Sequence, residues 1–224
     1  MKTVQALVAI GGRASRLRSG GIDVPISKSF LLLHIAGIKE VVLCADARIQ
    51  LLEADLILSQ ASFEFKVRDF LDDGLGVHGL PYQARSVLDG QFIFECGHGV
   101  SEPQHYSRLD AAKRARNVVF SGFQPHPSNP RQPVALSPFG YVRQSGGWPR
   151  RYAVAHPMLV DQAYAATLPQ FGFRIEDIIR HYSSLGRLKY VMSRLPPEFD
   201  LAEEMTDAMP EYENFLDRSP NLRS

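Results

Sequence analysis

A short apolar run, Val4-Gln5-Ala6-Leu7-Val8-Ala9-Ile10, is cut off at Gly11-Gly12 and succeeded at once by Arg13, Arg16 and Arg18. Lys28 comes after a further glycine-rich turn and Pro25. The run has the length and residue types of a buried strand. Glycines after it let backbone N–H groups approach an anion closely, while guanidinium forks and an ammonium supply opposing charge. The combination predicts a polyphosphate site at the C-terminal end of a first strand. A solvated basic loop, and for Lys28 an ordinary surface lysine, are the alternative readings.

Two other phosphate motifs fit this segment poorly. A P-loop needs Gly-Lys-Ser/Thr, which occurs nowhere in the chain. The dinucleotide fingerprint is not present in this loop, and its helix would have to begin where Arg16 to Arg18 stand.

The rest of the chain alternates strand and helix signals, as a mostly parallel sheet covered on both faces requires. Glu40–Ala45 is near-continuously apolar. Ile49, Leu52, Leu56 and Ser59 share one helical face, so residues 47–60 read as an amphipathic helix. Alternating Phe63, Phe65 and Val67 predict a third strand, and the Gln91–Cys96 run a fourth. Ser101-Glu102-Pro103 starts a helix over 102–115, with the serine hydroxyl as cap. Val118–Phe120 and Tyr152–Ala155 read as strands, separated in part by a Pro-, Ser- and Asn-rich loop over 124–133. Ile175, Ile178, Ile179 and Tyr182 form a helical stripe closed by Gly186, and Leu188, Tyr190 and Met192 alternate as a late strand. With 224 residues and no linker or repeat, a single domain over 1–224 is expected.

Ile10-Gly11-Gly12-Arg13-Ala14-Ser15-Arg16-Leu17, then Pro25-Ile26-Ser27-Lys28, resembles the signature of the nucleotidyltransferases that make nucleotide-sugars. That signature runs A-G-G-x-G-T-R-L, then P-K. Ala14 stands at its last glycine, and Ser15 replaces threonine, as in the related molybdenum-cofactor guanylyltransferases. Residues 36–46 resemble the family's second strand, and Asp73–Leu80 its G-T-A-x-A-L turn beside the nucleobase. Glu198–Met205 resembles its C-terminal strand-to-helix passage.

The resemblance implies a three-layer α/β fold with a mostly parallel sheet, the Rossmann-like nucleotide-diphospho-sugar transferase fold. It implies nucleotidyl transfer from a nucleoside triphosphate to a sugar 1-phosphate or similar acceptor, with release of pyrophosphate and with Mg²⁺ as the ion. Arg16 and Lys28 would be catalytic. Ile10, Gly11, Gly12, Arg13, Ala14, Ser15, Gly76, Gly79 and His98 would line the nucleotide, and Asp200 would bind metal. A non-catalytic nucleotide- or sugar-nucleotide-binding paralogue with a regulatory or assembly role is the alternative. A glycosyltransferase of this fold should show an Asp-x-Asp pair, and none occurs.

Two departures from the family stand out. Only Ser29 to Glu40 separate the lysine from the second strand, too few for a loop plus a crossover helix, so a lost helix or residues missing from the sequence are expected. After the fourth strand the family has Gly-Asp, its first metal ligand, where this chain has Gly97-His98. Mg²⁺ prefers hard oxygen ligands and imidazole suits softer metals.

His78, His98 and His105 flank glycine-rich turns, yet no zinc spacing joins them. Cys44 and Cys96 read as small core residues, and Tyr106 and Tyr182 as core or boundary. Trp148, after Gly146-Gly147, is expected to be a partly buried anchor. A net charge of +1 gives no global case for binding nucleic acid or an anionic membrane. A cytoplasmic protein, with assembly as a homo-oligomer left open, is the default expectation.

Overall fold

The structure is a computed structural model and describes residues 5–10, 26–60, 63–97, 101–114, 116–124, 133–143 and 150–193. In chain order the elements are β1 (Gln5–Ala9), α1 (Ile26–Ile35), β2 (Glu40–Ala45), α2 (Arg48–Gln60) and β3 (Lys66–Leu71). A 3₁₀ turn (Val77–Gly79) leads into the one-turn helix α3 (Leu80–Gln83), and after it come β4 (Gln91–Cys96), α4 (Pro103–Ala112) and β5 (Val118–Phe123). The chain continues through β6 (Val134–Leu136), β7 (Val142–Arg143), β8 (Arg150–Asp161), α5 (Gln162–Thr167), α6 (Ile175–Ser184) and β9 (Leu188–Met192).

The main sheet has the order β3-β2-β1-β4-β8-β5-β9, with β6 and β7 attached through β8. Every pairing along that path is parallel except those of β8, which runs antiparallel to β4 and β5. Helices cover both faces, so the central strands are apolar on both sides. On one face Ala6, Val8, Val41, Leu43 and Ile93 pack under Phe30 and Leu33 of α1, Leu51 and Ala54 of α2, and Leu109 of α4. On the other, Leu7, Val42, Phe92, Phe94 and Phe120 pack against Leu80, Tyr164, Leu168, Ile178 and Ile179. Cys44, Cys96, Tyr106 and Tyr182 are buried, as expected.

Four expectations need correction. The crossover between β1 and β2 does contain a helix. Instead of a loop carrying Lys28 and then a shortage of residues, α1 begins at Ile26, so Lys28 lies in its first turn. Its C-terminus closes tightly: Gly37, at φ +84°, donates to the His34 carbonyl, and Ile38 donates to that of Leu33.

Helix α2 forms over the expected residues but buries a different face. Leu51, Ala54 and Leu58 point into the core, while Ile49, Leu52 and Leu56 are 61 %, 62 % and 58 % exposed. Both sets have i, i+3, i+7 spacing, so periodicity alone could not choose between them. The third strand starts at Lys66 rather than Phe63. Phe63 and Phe65 instead form an aromatic cluster with His34 and Phe30, at centroid distances of 5.3–6.4 Å. Finally, the N-cap of α4 is Glu102, without a side-chain cap, and Ser101 is buried ahead of it.

Candidate functional site

The strand order reverses direction at β1: its crossover leads to β2 on one side, while β4 pairs with it on the other. In open α/β sheets the crevice at such a switch point, beyond the C-terminal ends of the strands, is where ligands bind. Here Ile10 closes β1 by donating to the Cys44 carbonyl at 2.8 Å, and Gly97 closes β4 by donating to the Ala9 carbonyl at 2.6 Å. The Ile10 side chain is buried, so only its backbone is available to a ligand.

The chain leaves β1 into residues 11–25 at this rim and returns as α1, which must begin at the rim because β2 starts at the opposite end of the sheet. Gly11, Gly12, Arg13, Ala14, Ser15 and Arg16 lie outside the described residues, as do His98, Trp148 and Asp200. Lys28 is placed through its backbone, in the first turn of α1.

The turn after β3 reaches the same rim. The Asp72 amide donates to the Ala45 carbonyl at 2.9 Å, extending the β2–β3 pairing by one residue. Asp72 Oδ1 accepts from the Gly74 amide at 3.0 Å and from Gln83 Nε2 at 2.9 Å, and Gln83 also binds Asp73. Gly76 adopts φ +75°, ψ 170°, a conformation open essentially to glycine alone. The Gly79 amide then donates to the Gly76 carbonyl at 2.8 Å, and a Cβ on Gly79 would sit 2.4 Å from Leu75 Cβ. Gly74, Gly76 and Gly79 have G-x-G-x-x-G spacing after a strand. Helix α3, the next element, is a single turn, too short to act as the phosphate-binding helix of a dinucleotide fold.

His78 ties this turn to the middle of the sheet. Its ring stacks on that of His156 at a centroid distance of 5.1 Å and an interplanar angle of 15°. His156 in turn meets Phe94 edge-on at 4.5 Å, and its Nδ1 lies 3.2 Å from Cys96 Sγ. The Gly76–Gly79 turn and the end of β4 are therefore joined by one chain of contacts, from the half-buried His78 to the buried His156 and Cys96. Sequence reasoning misses His156 because it ends the strand at Ala155, ahead of Pro157, where a proline argues against a central strand. The strand continues because a bulge accommodates the pair: Phe120 opposes Met158, but Ser121 opposes Ala155.

His105 is set apart from the other histidines. It is fully buried on α4, with Nε2 2.7 Å from Ser121 Oγ. Ser121 donates to the Pro157 carbonyl at 2.6 Å, so its oxygen accepts from His105 Nε2–H. His105 Nδ1 is then the acceptor facing Arg108, at 3.4 Å. Burial first, and the Arg108 charge second, push His105 down to about 3, which keeps it neutral. This chain satisfies the carbonyl of the bulge that presents His156. Nearby, Tyr106 donates to the buried Glu95 at 2.8 Å.

Burial foremost, then the Asp72, Asp46 and Asp73 carboxylates, raise the Cys44 thiol to about 12. Cys44 thus stays a protonated core thiol and not a ligand or nucleophile. Among the described residues no group of three or more His, Cys, Asp or Glu side chains is placed to hold a metal ion. Beside the end of β4, Cys96 and His156 are soft donors that do not suit Mg²⁺, and the carboxylate of Glu95 is buried and accepts from Tyr106.

No protein-family model matches the chain, and no curated protein matches it. Solved structures do. HddC from Yersinia pseudotuberculosis complexed with GMP-PN superposes with a TM-score of 0.69 at 15% identity, over 94% of this chain and 100% of that one. The inositol-1-phosphate CTP transferase from T. maritima gives 0.66 at 14% identity, over 94% and 96%. The 4-diphosphocytidyl-2C-methyl-D-erythritol synthase from Anaerococcus prevotii gives 0.65 at 16% identity, over 95% and 96%. The chain shares the Rossmann-like fold of these structures, a three-layer α/β architecture around a mostly parallel sheet. No helix among the described residues is long and apolar enough to cross a membrane.

Proposed function

We propose that this protein is a nucleotidyltransferase that transfers a nucleoside monophosphate from a nucleoside triphosphate to a phosphorylated small-molecule acceptor such as a sugar 1-phosphate. The observation that carries the reading is where β1 ends, at the switch point of the sheet, with residues 11–25 next in the sequence. This segment of glycines and arginines springs from the end of β1 at the topological switch point, the crevice where this sheet order binds ligands. The similarity in fold to an enzyme named as an inositol-1-phosphate CTP transferase supports it.

In the proposed reaction an acceptor phosphate oxygen attacks the α-phosphorus in line. A new O–P bond forms, the bond from the α-phosphorus to the bridging oxygen breaks, and pyrophosphate leaves with that electron pair. Such transfers require positioning and charge neutralisation more than covalent help. Backbone amides of Gly11 and Gly12 and the Arg16 guanidinium would hold the departing phosphates. Lys28 would bridge the α-phosphate and the incoming one. Its place in the first turn of α1 adds the positive end of that helix to the same region. Gly76 and Gly79 would bring backbone close to the base. Mg²⁺, the ion the resemblance implies, would rest on Asp200 and the substrate phosphates, since Cys96 and His156 beside the end of β4 do not suit it.

A second reading, a nucleotide-binding paralogue without turnover, draws on that same mismatch and on His98 standing in place of an aspartate. One experiment separates the two: calorimetric titration with the common nucleoside triphosphates, and then a pyrophosphate-release assay over a panel of sugar 1-phosphates. Binding with release supports the enzyme, and binding without release on any acceptor supports the paralogue. No binding by folded protein removes both.

A further inference from the structure

We propose that the outer face of α2 is a homodimer interface, packing antiparallel against α2 of a second copy about a twofold axis. This inference is independent of the nucleotide site. Ile49, Leu52 and Leu56 are 61 %, 62 % and 58 % exposed on a helix whose other side already supplies Leu51, Ala54 and Leu58 to the core. They recur at i, i+3, i+7, the spacing of a helix–helix seam. Together they form an apolar stripe on the outer side of the helix rather than apolar residues scattered singly.

The charges beside the seam select a second copy as the occupant. Arg48 and Asp55 are one heptad apart on the same flank, and neither has an ion-pair partner among the described residues. In an isologous contact residue i meets j while j meets i, and between antiparallel helices like flanks face each other. A single dyad at Leu52 therefore sets Ile49 against Leu56 of the second copy, Leu52 against its own counterpart, and Arg48 against Asp55 twice over. All three pairings share that dyad to within one residue, about 1.5 Å along the axis. Glu53, on the other flank, is already engaged within its own chain. The neighbouring sheet edge is a worse candidate, because β3 carries exposed Lys66, Arg68 and Asp69, charges of the kind that discourage edge-to-edge pairing.

Sedimentation equilibrium of the full chain across a hundredfold concentration range tests this. The expected result is a reversible dimer for wild type and a monomer for Leu52→Glu, with unchanged circular dichroism because the side chain is exposed. Arg48→Asp and Asp55→Arg should each weaken dimerisation at least tenfold, and the double variant Arg48→Asp/Asp55→Arg should recover most of that loss. A wild type that stays monomeric, a dimer indifferent to Leu52→Glu, or a double variant no better than the singles would overturn the proposal.

Discussion

Gly76 and Gly79 are required for different reasons, and substitutions should separate them. Alanine at Gly79 meets Leu75 Cβ at 2.4 Å, a clash that only a backbone shift can relieve. Alanine at Gly76 has open space around it and suffers only the strain of φ +75°. Each should cost about 1–3 kcal/mol in denaturant melts. If the turn borders the base, Gly79→Ala should also weaken nucleotide binding in calorimetry, because the shifted backbone moves with it. Under the proposed reaction, Arg16→Ala and Lys28→Ala are each expected to lower pyrophosphate release on the order of a hundredfold. Alanine suits a helix interior, so Lys28→Ala should leave α1 intact, and an unchanged melting curve is the control. His98→Asp puts a carboxylate where the signature that this chain resembles has its metal-binding aspartate; under the proposed function, higher activity would mark a decayed site, and lower activity a role for the histidine itself. Of the candidate residues, Ile10 reads as a strand end and Gly76 and Gly79 as a turn, and the structure has both, because such features are set locally. The stack of His78 on His156 was not legible in the sequence, since its partners are far apart in the chain and meet only in the tertiary fold.

Elements were legible where one stripe of apolar residues had a single interpretation. β2 and β4 begin and end where the apolar runs do, and α6 spans its predicted stripe. Ambiguity arose where two patterns competed, as on α2, or where aromatic residues alternate without pairing, as at Phe63 and Phe65. The short β6 and β7 carry too few residues for any period. The bulge in β8 was invisible for another reason: it is stabilised from the neighbouring layer by Ser121 and His105. Ser121→Ala strips the Pro157 carbonyl and His105 Nε2–H of their partner, at an expected cost of about 1–3 kcal/mol. His105 also makes an acid-sensitivity prediction. Its folded value, about 3, lies below the ordinary 6.5, so between those limits the unfolded chain binds a proton that the native state does not. The contribution is complete above pH 6.5 and is lost as pH falls toward 3, with a slope of up to about 1.4 kcal/mol per pH unit. Denaturant titrations of wild type and His105→Gln over this range should show a shallower pH dependence in the variant.

At the scale of the molecule, alternating strand and helix signals implied a covered parallel sheet, but not its order. The position of β4 beside β1, and the antiparallel insertion of β8 between β4 and β5, rest on long-range pairings that no local pattern encodes. Yet that order is what turns a basic, glycine-bearing segment into a candidate site, by placing its root at the switch point. In the proposed site a ligand would lie at the ends of β1 and β4 and the first turn of α1, so its binding should be felt by the whole cooperative unit. A nucleoside triphosphate at a hundredfold its Kd should stabilise the native state by about 2.7 kcal/mol. For a chain of this size, each kcal/mol corresponds to about 2–4 °C, which predicts a rise in Tm of about 5–10 °C. Arg16→Ala should bring the rise down at the same nucleotide concentration, because its Kd has increased, while leaving the Tm without nucleotide where it was. A panel of nucleoside triphosphates that leaves the wild-type Tm unmoved at millimolar concentration would remove the nucleotide site, and with it both the enzyme and the paralogue readings.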